Sequence, residues 1–407
     1  MTGNSSNKDA FIEAVKEGDA GQAASLLSGD LSLRAQINAP WFDFDAPAIV
    51  FSAGAGHREM IDVLLQNGAD IDIKSDWWAS GVSAMNWVTG SMMGYNRELA
   101  EYLIERGATI DAHAAAGLNL PDKLRALIDE NPDVVNERGP DGMTPLHYAA
   151  TPQITALLLE RGAEIDIQDI DHHGTAAQWT VGHRPDVSRY LVEQGAKADI
   201  ILCCAIGDAE RTRTLLAANL DLLEARVMGE APGGHVYFYT VGRGMTLLQV
   251  ALTWDHLEVI DVLLDAGYRI RLEEWYNIVA EGPKIMDRLV KRFMAHGLDL
   301  DARRQHRLGL WAPLHYLAHR GLTFGIACLL DNGADPNVTD GEGCTPLHVI
   351  ARKGVGKNQM DLLIKHGADL NVRDNYQRTP RDYADEASRD SIGRHLAALS
   401  ASGNSGD

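Results

Sequence analysis

A four-residue motif returns along this chain and constrains its fold more than any other feature. Thr144-Pro145-Leu146-His147 recurs as Thr345-Pro346-Leu347-His348 and, with one change, as Ala312-Pro313-Leu314-His315. An apolar segment that ends in Gly-Ala follows each copy. Units of this size cannot bury their apolar faces alone, so the repeat requires that neighbouring units stack.

Glycines that end apolar helices give the period of the repeat. The interval from Gly162 to Gly195 is 33 residues, and similar intervals recur along the chain. Two longer intervals, one before Gly162 and one after Gly195, each predict a degenerate unit. Apolar residues at helical spacing place these units around Leu124 and Leu215.

The motif, the glycines and the period resemble those of the ankyrin-repeat family over almost the whole chain. The resemblance implies an all-α ankyrin-repeat solenoid of roughly eleven helix-pair units plus a C-terminal cap, with long fingers between units. We assign residues 8–399 to this solenoid. The polar ends predict a disordered N-terminus at residues 1–7 and a flexible tail at residues 400–407.

The charge of the chain excludes several kinds of partner. Its formal net charge is -20, and acidic surfaces repel nucleic acid and anionic lipid, so we expect no nucleic acid and no membrane as partner. No apolar run is long enough to span a membrane, and the N-terminal residues do not resemble a secretory signal. The expected location is therefore cytoplasmic.

Neither a metal nor a cofactor is expected from the sequence. None of the four cysteines belongs to a Cys-x-x-Cys pair. His147, His315 and His348 occupy the motif position that forms structural hydrogen bonds in the ankyrin family. Phosphate-binding loops and dinucleotide fingerprints are absent from the sequence.

Aromatic residues recur at one position of the repeat, the position x of Thr-Pro-Leu-His-x-Ala-Ala. In the ankyrin family the first helices line the concave face, so an aromatic row there would form a groove for a peptide, a sugar or an extended apolar ligand. Packing of the same residues against the neighbouring unit is the equal alternative. The residues at position x are Phe51, Trp87, Tyr148, Trp179, Tyr316 and Tyr383.

Bulky aromatic residues also lie in the turns between units. Fingers in this family are usually short and polar, but here they carry Trp77, Trp78 and Trp311, and Trp254 lies near the same rim. Large apolar groups at exposed turns favour an interaction role. Packing between unusually long fingers is the alternative.

One connection, residues 224–244, is much longer than the others. Ordinary connections have about 2 to 8 residues, and an excess of this size is typical of a binding loop, a lid or disorder. Val236 and Phe238 alternate with Tyr237 and Tyr239 between glycines, which favours an extended hairpin. We predict that this hairpin reaches over the groove as a lid.

A few polar residues are candidates for catalysis. The finger with Asp171, His172 and His173 combines carboxylates and imidazoles, as acid/base catalysis requires, but its spacing matches no established metal motif. Asp43 and Asp45 lie on another aromatic finger and are further acid/base candidates. Known catalytic signatures are absent, although catalytic groups can also come together from distant fingers.

Family resemblance favours a binding protein whose aromatic-rich concave groove holds a protein or peptide partner. The alternative is a small-molecule or saccharide binder, one form of which is a hydrolase or lyase with acid/base catalysis in the groove. In that interpretation the tryptophans form walls and the long connection closes the site. The sequence leaves open which applies, and whether the chain is an enzyme.

Overall fold

The architecture comes from a computed structural model, which describes residues 3–76, 80–90, 95–227, 234–281, 283–306, 309–354, 356–386 and 390–403. The chain forms two compact bodies, an N-terminal body, Met1–Val262, and a C-terminal body, Leu263–Asp407. Each body buries apolar side chains of its own.

Helix pairs follow one another along the described residues, eleven of them before a final capping pair. The first four are α1 (Gly3–Glu17) with α2 (Ala20–Gly29), α4 (Ala48–Ala55) with α5 (Arg58–Gln66), α6 (Ala84–Thr89) with α7 (Arg97–Glu105), and α8 (Ala112–Gly117) with α9 (Pro121–Glu130). The next four are α10 (Pro145–Tyr148) with α11 (Pro152–Glu160), α12 (Ala176–Thr180) with α13 (Pro185–Glu193), α14 (Ile200–Ile206) with α15 (Ala209–Ala218), and α17 (Leu247–Thr253) with α18 (Leu257–Asp265). The last are α19 (Leu272–Glu281) with α20 (Pro283–Ala295), α21 (Pro313–Arg320) with α22 (Thr323–Asp331), α23 (Pro346–Lys353) with α24 (Lys357–Lys365), and the cap, α25 (Pro380–Glu386) with α26 (Asp390–Gly403).

A few elements lie between the pairs. Helix α3 (Leu31–Arg34) follows the first pair, and α16 (Gly234–Thr240) precedes α17. Strands β1 (Arg304–His306) and β2 (Gly309–Trp311) form an antiparallel hairpin. This content confirms the predicted all-α solenoid of helix-pair units. Turns of 3-10 helix occupy Asp43–Asp45, Pro132–Asn136, Pro140–Gly142 and Leu220–Glu224.

The repeat motif begins a helix for a reason visible in its hydrogen bonds. The backbone N–H of Thr144 donates to Nδ1 of His147 over 3.0 Å, and Pro145 occupies the first helical position. Gln178 takes the histidine's place in the sixth pair, where its Oε1 accepts from the backbone N–H of Thr175 over 3.0 Å. Either residue satisfies a backbone donor that the helix leaves unpaired.

Packing within each body joins neighbouring pairs. In the N-terminal body α4 lies against α6 and α8 against α10, and in the C-terminal body α21 lies against α23. Second helices add a further layer, in which α5 buries Met60, Ile61 and Leu64. Burial of an aliphatic side chain of this size contributes about 2 kcal/mol, so stacking on neighbours is the main source of stability.

Three pairs follow their predecessors without an intervening finger. In the described chain α8, α14 and α19 each begin five residues after the closing glycine, which is Gly107, Gly195 or Gly267. Helices α9 and α15 contain Leu124 and Leu215, so the two degenerate units predicted from the sequence are confirmed.

The gap left by a missing finger is filled by the next finger along the chain. Beside α8, Nε2 of His113 lies 3.1 Å from the carbonyl oxygen of Met143, which belongs to the following finger. Beside α14, the hydroxyl of Tyr237 lies 2.8 Å from Oδ2 of Asp199. A finger in this chain therefore spans more than one repeat.

The long connection corrects the predicted hairpin. Residues 234–240 form helix α16, and a single bridge between Arg226 and Thr246 closes the base of the connection. Val236, Tyr237 and Thr240 are buried at helical spacing. The alternation seen in the sequence extends over only four residues, too few to distinguish a strand period from a helical one.

Helices extend into both of the ends that the sequence predicts to be flexible. Helix α1 begins at Gly3, inside the predicted disordered segment 1–7, and the side chain of Asn7 donates to Asp30 over 3.0 Å. Helix α26 continues to Gly403, into the predicted tail 400–407, because its small Ala and Ser residues are compatible with a helix. Residues 404–407 lie outside the described part of the chain.

No helix among the described residues combines the length and the apolar character needed to cross a membrane.

Candidate functional site

The structure brings three of the predicted site residues together at the finger formed by residues 169–174. The ring of Tyr239, from α16, is stacked on that of Trp179, with centroids 6.2 Å apart and planes at 20°. His172 meets both rings edge-on, 5.2 Å from Tyr239 and 5.3 Å from Trp179. Helix α16 of the long connection therefore packs against Trp179 through Tyr239.

Helix α16 is held in place by the hydroxyl of Tyr237. This hydroxyl donates to the carboxylate of Asp199, with Oδ1 at 2.9 Å and Oδ2 at 2.8 Å. The hydroxyl oxygen of Tyr237 in turn accepts from Gln178 Nε2 over 3.3 Å. Burial, followed by the Asp199 charge, raises the pKa of Tyr237 well above its usual value, so the phenol remains a donor. Tyr237 therefore joins α16 to the N-terminus of α14.

Two glycines allow α16 to approach the sixth pair closely. A Cβ atom at Gly174 would lie 2.1 Å from Val236 Cγ2, and one at Gly182 would lie 2.2 Å from the carbonyl oxygen of Thr240. Real Cβ contacts are longer, so a side chain at either position would push the helix away. Both glycines serve to seat α16.

The carboxylate of Asp169 stabilises the finger from inside. It accepts from the backbone N–H of His172 at 2.6 Å and of Gly174 at 2.7 Å, and from Nε1 of Trp179 at 2.8 Å. Burial alone would raise the pKa of Asp169, but the neighbouring His172 imidazole and these hydrogen bonds lower it to about 2. A carboxylate held in this way is unsuited to proton transfer near neutral pH.

His172 is the most polar of the three side chains that meet here, His172, Trp179 and Tyr239. Its Nδ1 is buried without a hydrogen-bond partner and lies 3.7 Å from Asp169 Oδ1 and 3.5 Å from Asp171 Oδ2. The neighbouring Asp169 carboxylate raises the pKa of His172. Asp171 and His173 are exposed on the same finger, so the three predicted catalytic residues of this finger are close in space.

The other acid/base candidates lie elsewhere. Asp43 and Asp45 are exposed on a 3-10 turn between the first two helix pairs, whereas Asp171 lies between the fifth and the sixth. Each repeat contacts mainly its neighbours, so these carboxylates do not share a site with Asp171.

Most of the aromatic row is packed rather than exposed. Tyr148, Trp179 and Tyr383 are 4%, 1% and 5% exposed, so of the two alternatives the packing one applies at these positions. The reason is a polar partner: Trp179 donates to Asp169, and the hydroxyl of Tyr383 donates to Asp374 over 2.7 Å. The aromatic residue and the finger carboxylate satisfy each other.

The remaining members of the row are partly buried. The ring of Phe51 stacks on Phe42 with centroids 4.9 Å apart, and Trp87 lies 6.0 Å from Phe44. Tyr316 lies beside Arg320, whose guanidinium is 5.8 Å from the ring. These side chains contribute packing as well as surface.

The finger tryptophans differ from one another. Trp311 is fully buried and stacked on the ring of His315 at 6.3 Å, so its expected exposure is wrong. Trp254 is half-buried where α17 ends. Trp77 and Trp78 lie outside the described residues.

The motif histidines have a structural role, because the second nitrogen of each ring bonds to the backbone of the next finger. Nε2 of His147 donates to the carbonyl oxygen of Gly174 at 3.2 Å, and Nε2 of His348 donates to the carbonyl oxygen of Arg378 at 3.1 Å. His315 bonds to the carbonyl oxygen of Cys344 at 2.8 Å. Each histidine therefore fixes the finger of the next unit.

Metal chemistry finds no support in the described residues. No group of three or more His, Cys, Asp or Glu side chains in this part of the chain is arranged to hold a metal ion. All four cysteines are buried and unpaired.

Sequence reasoning missed the residues that organise the site, Asp169, Gln178 and Asp199. One signal was available: the finger aspartate precedes the aromatic residue by ten positions in Asp169 and Trp179, and by nine in Asp374 and Tyr383. No short-range signal connects Tyr237 with Asp199, because they are 38 residues apart.

Comparisons with known proteins agree with the repeat architecture. The chain is 22% identical to the E3 ubiquitin-protein ligase KEG of Arabidopsis thaliana over 97% of its own length but only 21% of the ligase. It is 44% identical to human Rabankyrin-5 over 17% of the chain and 6% of that protein. It is 22% identical to the probable 26S proteasome regulatory subunit p28 of Saccharomyces cerevisiae, over 67% of this chain and 92% of the subunit.

The family model for ankyrin repeats matches three segments, residues 112–202, 280–374 and 314–407. Together these segments cover more than half of the chain, and they include helix pairs of both bodies. The protein therefore belongs to the ankyrin-repeat family.

Proposed function

We propose that this chain binds a protein partner through the α16 patch, which consists of Ile170, Phe238 and Tyr239. Ankyrin repeats indicate a protein–protein interaction module. The relatives include an E3 ubiquitin-protein ligase and a probable proteasome regulatory subunit, which is in keeping with a role among protein partners.

The observation that carries the proposal is the exposure of these three side chains on two held elements, Phe238 and Tyr239 on α16 and Ile170 on the finger of residues 169–174. Ile170, Phe238 and Tyr239 are 46%, 40% and 56% exposed. Helix α16 is fixed by Tyr237, so the aromatic rings lose little conformational entropy when a partner binds. Tyrosine in particular combines a large apolar area with a polar group, and it is enriched at binding hot spots.

Charge suggests what kind of partner fits the patch. The chain has a formal net charge of -20, and exposed Asp171 lies on the same finger as Ile170. Opposite charges steer association and favour the correct partner. We therefore propose a segment in which an apolar anchor residue is flanked by Lys or Arg.

The aromatic groove of the sequence interpretation has weaker support. Trp179 and Asp169 bond to each other, and Tyr148 is buried, so these side chains do not offer stacking walls or a free carboxylate. No observation favours the saccharide or enzyme alternative over the α16 patch.

The test uses a peptide display library panned against the intact chain. Kd values of the enriched peptides are compared for the wild type, Tyr239→Ser and Tyr376→Ser. Tyr376 is a matched control because it is 64% exposed on a different finger. We expect Tyr239→Ser to weaken binding about thirtyfold, as a hot spot worth about 2 kcal/mol would, and Tyr376→Ser to leave Kd unchanged. Equal Kd values for the wild type and Tyr239→Ser would refute the proposal.

A further inference from the structure

A cleft of about 400 Å³ lies in the N-terminal body where first helices turn into second helices. We name it the loop cleft. It crosses four consecutive helix pairs, the third to the sixth, and is separate from the α16 patch. The residues that matter for its chemistry are Tyr95, Arg97, Asn119, Thr151, His183 and Arg184.

The loop cleft coincides with a shortened repeat. From Thr144 to Gly162 the fifth pair takes 18 residues, whereas the corresponding segment from Thr345 to Gly367 takes 22. The loss falls on the first helix, because α10 has four residues and α23 has eight. A helix that ends a turn early leaves space beside it and exposes carbonyl oxygens that have no partner within the helix.

Arg184 from the next pair reaches into this space. Its Nη1 donates to the carbonyl oxygens of Tyr148 at 2.6 Å and Ala149 at 3.1 Å. These two bonds use both protons of Nη1 and fix the plane of the guanidinium. Among the described residues no acceptor is bonded to Nε or Nη2 of Arg184.

The unpaired edge has the geometry of an oxyanion receptor. Nε–H and Nη2–H are parallel donors, the arrangement that binds a carboxylate or a phosphate through two oxygens. Burial lowers the pKa of Arg184, with opposing smaller effects of Tyr95 and Asp186, but a guanidinium stays charged at any physiological pH. Its fixed position means that a ligand need not order it.

The surroundings of the cleft favour negative charge. Arg97 and His183 also line it, although Arg97 is paired with Glu101 at 2.9 Å, and no carboxylate is among the lining residues. The N-termini of α7, α9, α11 and α13 lie at the same turns, and helix N-termini attract anions. Glu98, Asp122 and Asp186 in the first turns offset part of this attraction.

We infer that the loop cleft binds a small organic anion, whose carboxylate or phosphate group is held by the Nε and Nη2 edge of Arg184. The volume lies within the range of about 300 to 1,000 Å³ that metabolite-sized ligands occupy. Tyr95, 45% exposed and 5.6 Å from the Arg184 guanidinium, offers an aromatic face to the rest of the molecule. This site is independent of the protein partner proposed above.

The experiment titrates inorganic phosphate and acetate into the intact chain by calorimetry, with sodium chloride added to keep the ionic strength constant. Saturable binding of phosphate or of acetate is expected, and which one binds identifies the anionic group. We expect Arg184→Lys, which keeps the charge but loses the parallel donors, to weaken binding about tenfold or more.

The matched control is Arg189→Gln, which removes one positive charge from the same helix, α13. Both Nε and Nη2 of Arg189 already donate to the carbonyl oxygen of Ile206, at 3.2 and 2.9 Å. We expect this variant to bind the anion as the wild type does.

If circular dichroism shows that Arg184→Lys is not folded, Arg97→Gln provides the second test, with an expected loss of anion affinity of about threefold.

The results distinguish binding from a purely structural role of Arg184. A structural role alone would lower the melting temperature of Arg184→Lys and leave anion affinity unchanged. Equal affinity of the wild type and Arg184→Lys, or of the wild type and Arg97→Gln where that variant is used, would overturn the inference. So would the absence of saturable binding of both anions to the wild type.

Discussion

Two fingers of this protein, residues 169–174 in the N-terminal body and residues 374–378 in the C-terminal body, are built from the same parts. In each, a buried aspartate accepts backbone N–H groups of the finger, as Asp169 and Asp374 do. In each, an aromatic residue of the following helix donates to that aspartate. A histidine of the preceding unit, His147 or His348, donates to the last carbonyl group of the finger.

The two fingers differ in what lies over the aromatic residue. Trp179 is covered by Tyr239 of α16, whereas Tyr383 lies next to Arg378, whose guanidinium is 4.2 Å from the ring. The shared parts therefore belong to the repeat, and α16 is the addition that makes the first finger different. The two aromatic members of the α16 patch, Phe238 and Tyr239, come from this addition.

Removal of the finger aspartate is expected to have the largest effect. Asp169→Ala leaves two backbone donors and the Trp179 indole unpaired, and Asp374→Ala leaves two backbone donors unpaired and removes an acceptor of the Tyr383 hydroxyl, so each should lower the free energy of unfolding by about 4 kcal/mol. Urea denaturation measures this change. Asp171→Ala, on the exposed tip, is the control and should cost less than about 0.5 kcal/mol. A cost of Asp169→Ala no larger than that of the control would show that the shared bonds do not stabilise the finger.

The histidine bonds predict loss of stability in acid. Burial lowers the pKa of His147 to about 4 from an ordinary 6.5, so the folded state favours the neutral ring. The stabilisation is complete above pH 6.5 and is lost as the pH falls towards 4, by about 3 kcal/mol in total.

His147→Gln tests this origin, because Gln178 already fills the equivalent position in the sixth pair. At pH 7 the variant should be about 1 kcal/mol less stable, since it loses the bond to Gly174. At pH 4 it should be more stable than the wild type. Parallel pH profiles for the two proteins would contradict the assignment to His147.

Tyr237→Phe separates the seating of α16 from the stability of the finger. Loss of the hydroxyl removes a hydrogen bond to the Asp199 carboxylate, so undocking of α16 should become easier by about 2 kcal/mol. Amide hydrogen exchange of residues 234–240 should accelerate, while exchange of the finger at 374–378 stays the same. Unchanged exchange at 234–240 would mean that Val236 and the glycine contacts alone hold the helix.

Much of the fold could be predicted from the sequence, because the repeat motif and the glycine period are local signals. The interval lengths together with the apolar spacing locate the two degenerate units, and α9 and α15 confirm them. The helical form of α16 could not be predicted, since Val236 to Tyr239 satisfy both periods.

The candidate site was predicted only in part. His172, Trp179 and Tyr239 were all selected as site residues, and the structure brings them together. The sequence left open whether Trp179 is packed or exposed, because its burial depends on Asp169 and on a helix that begins 55 residues after it. The position of Arg184 depends on the preceding helix pair being four residues shorter than the one that begins at Thr345. In the sequence this appears only as a shorter interval between Thr144 and Gly162.

The most direct test of the central claim compares the two fingers in one experiment. Amide hydrogen exchange of the intact chain is measured with and without a peptide enriched on it. We predict slower exchange at residues 169–174 and 234–240 on binding and no change at residues 374–378, because only the first finger carries the α16 patch. Protection confined to the finger at 374–378, or no protection at 234–240, would contradict the proposal that α16 is the part of this protein that meets its partner.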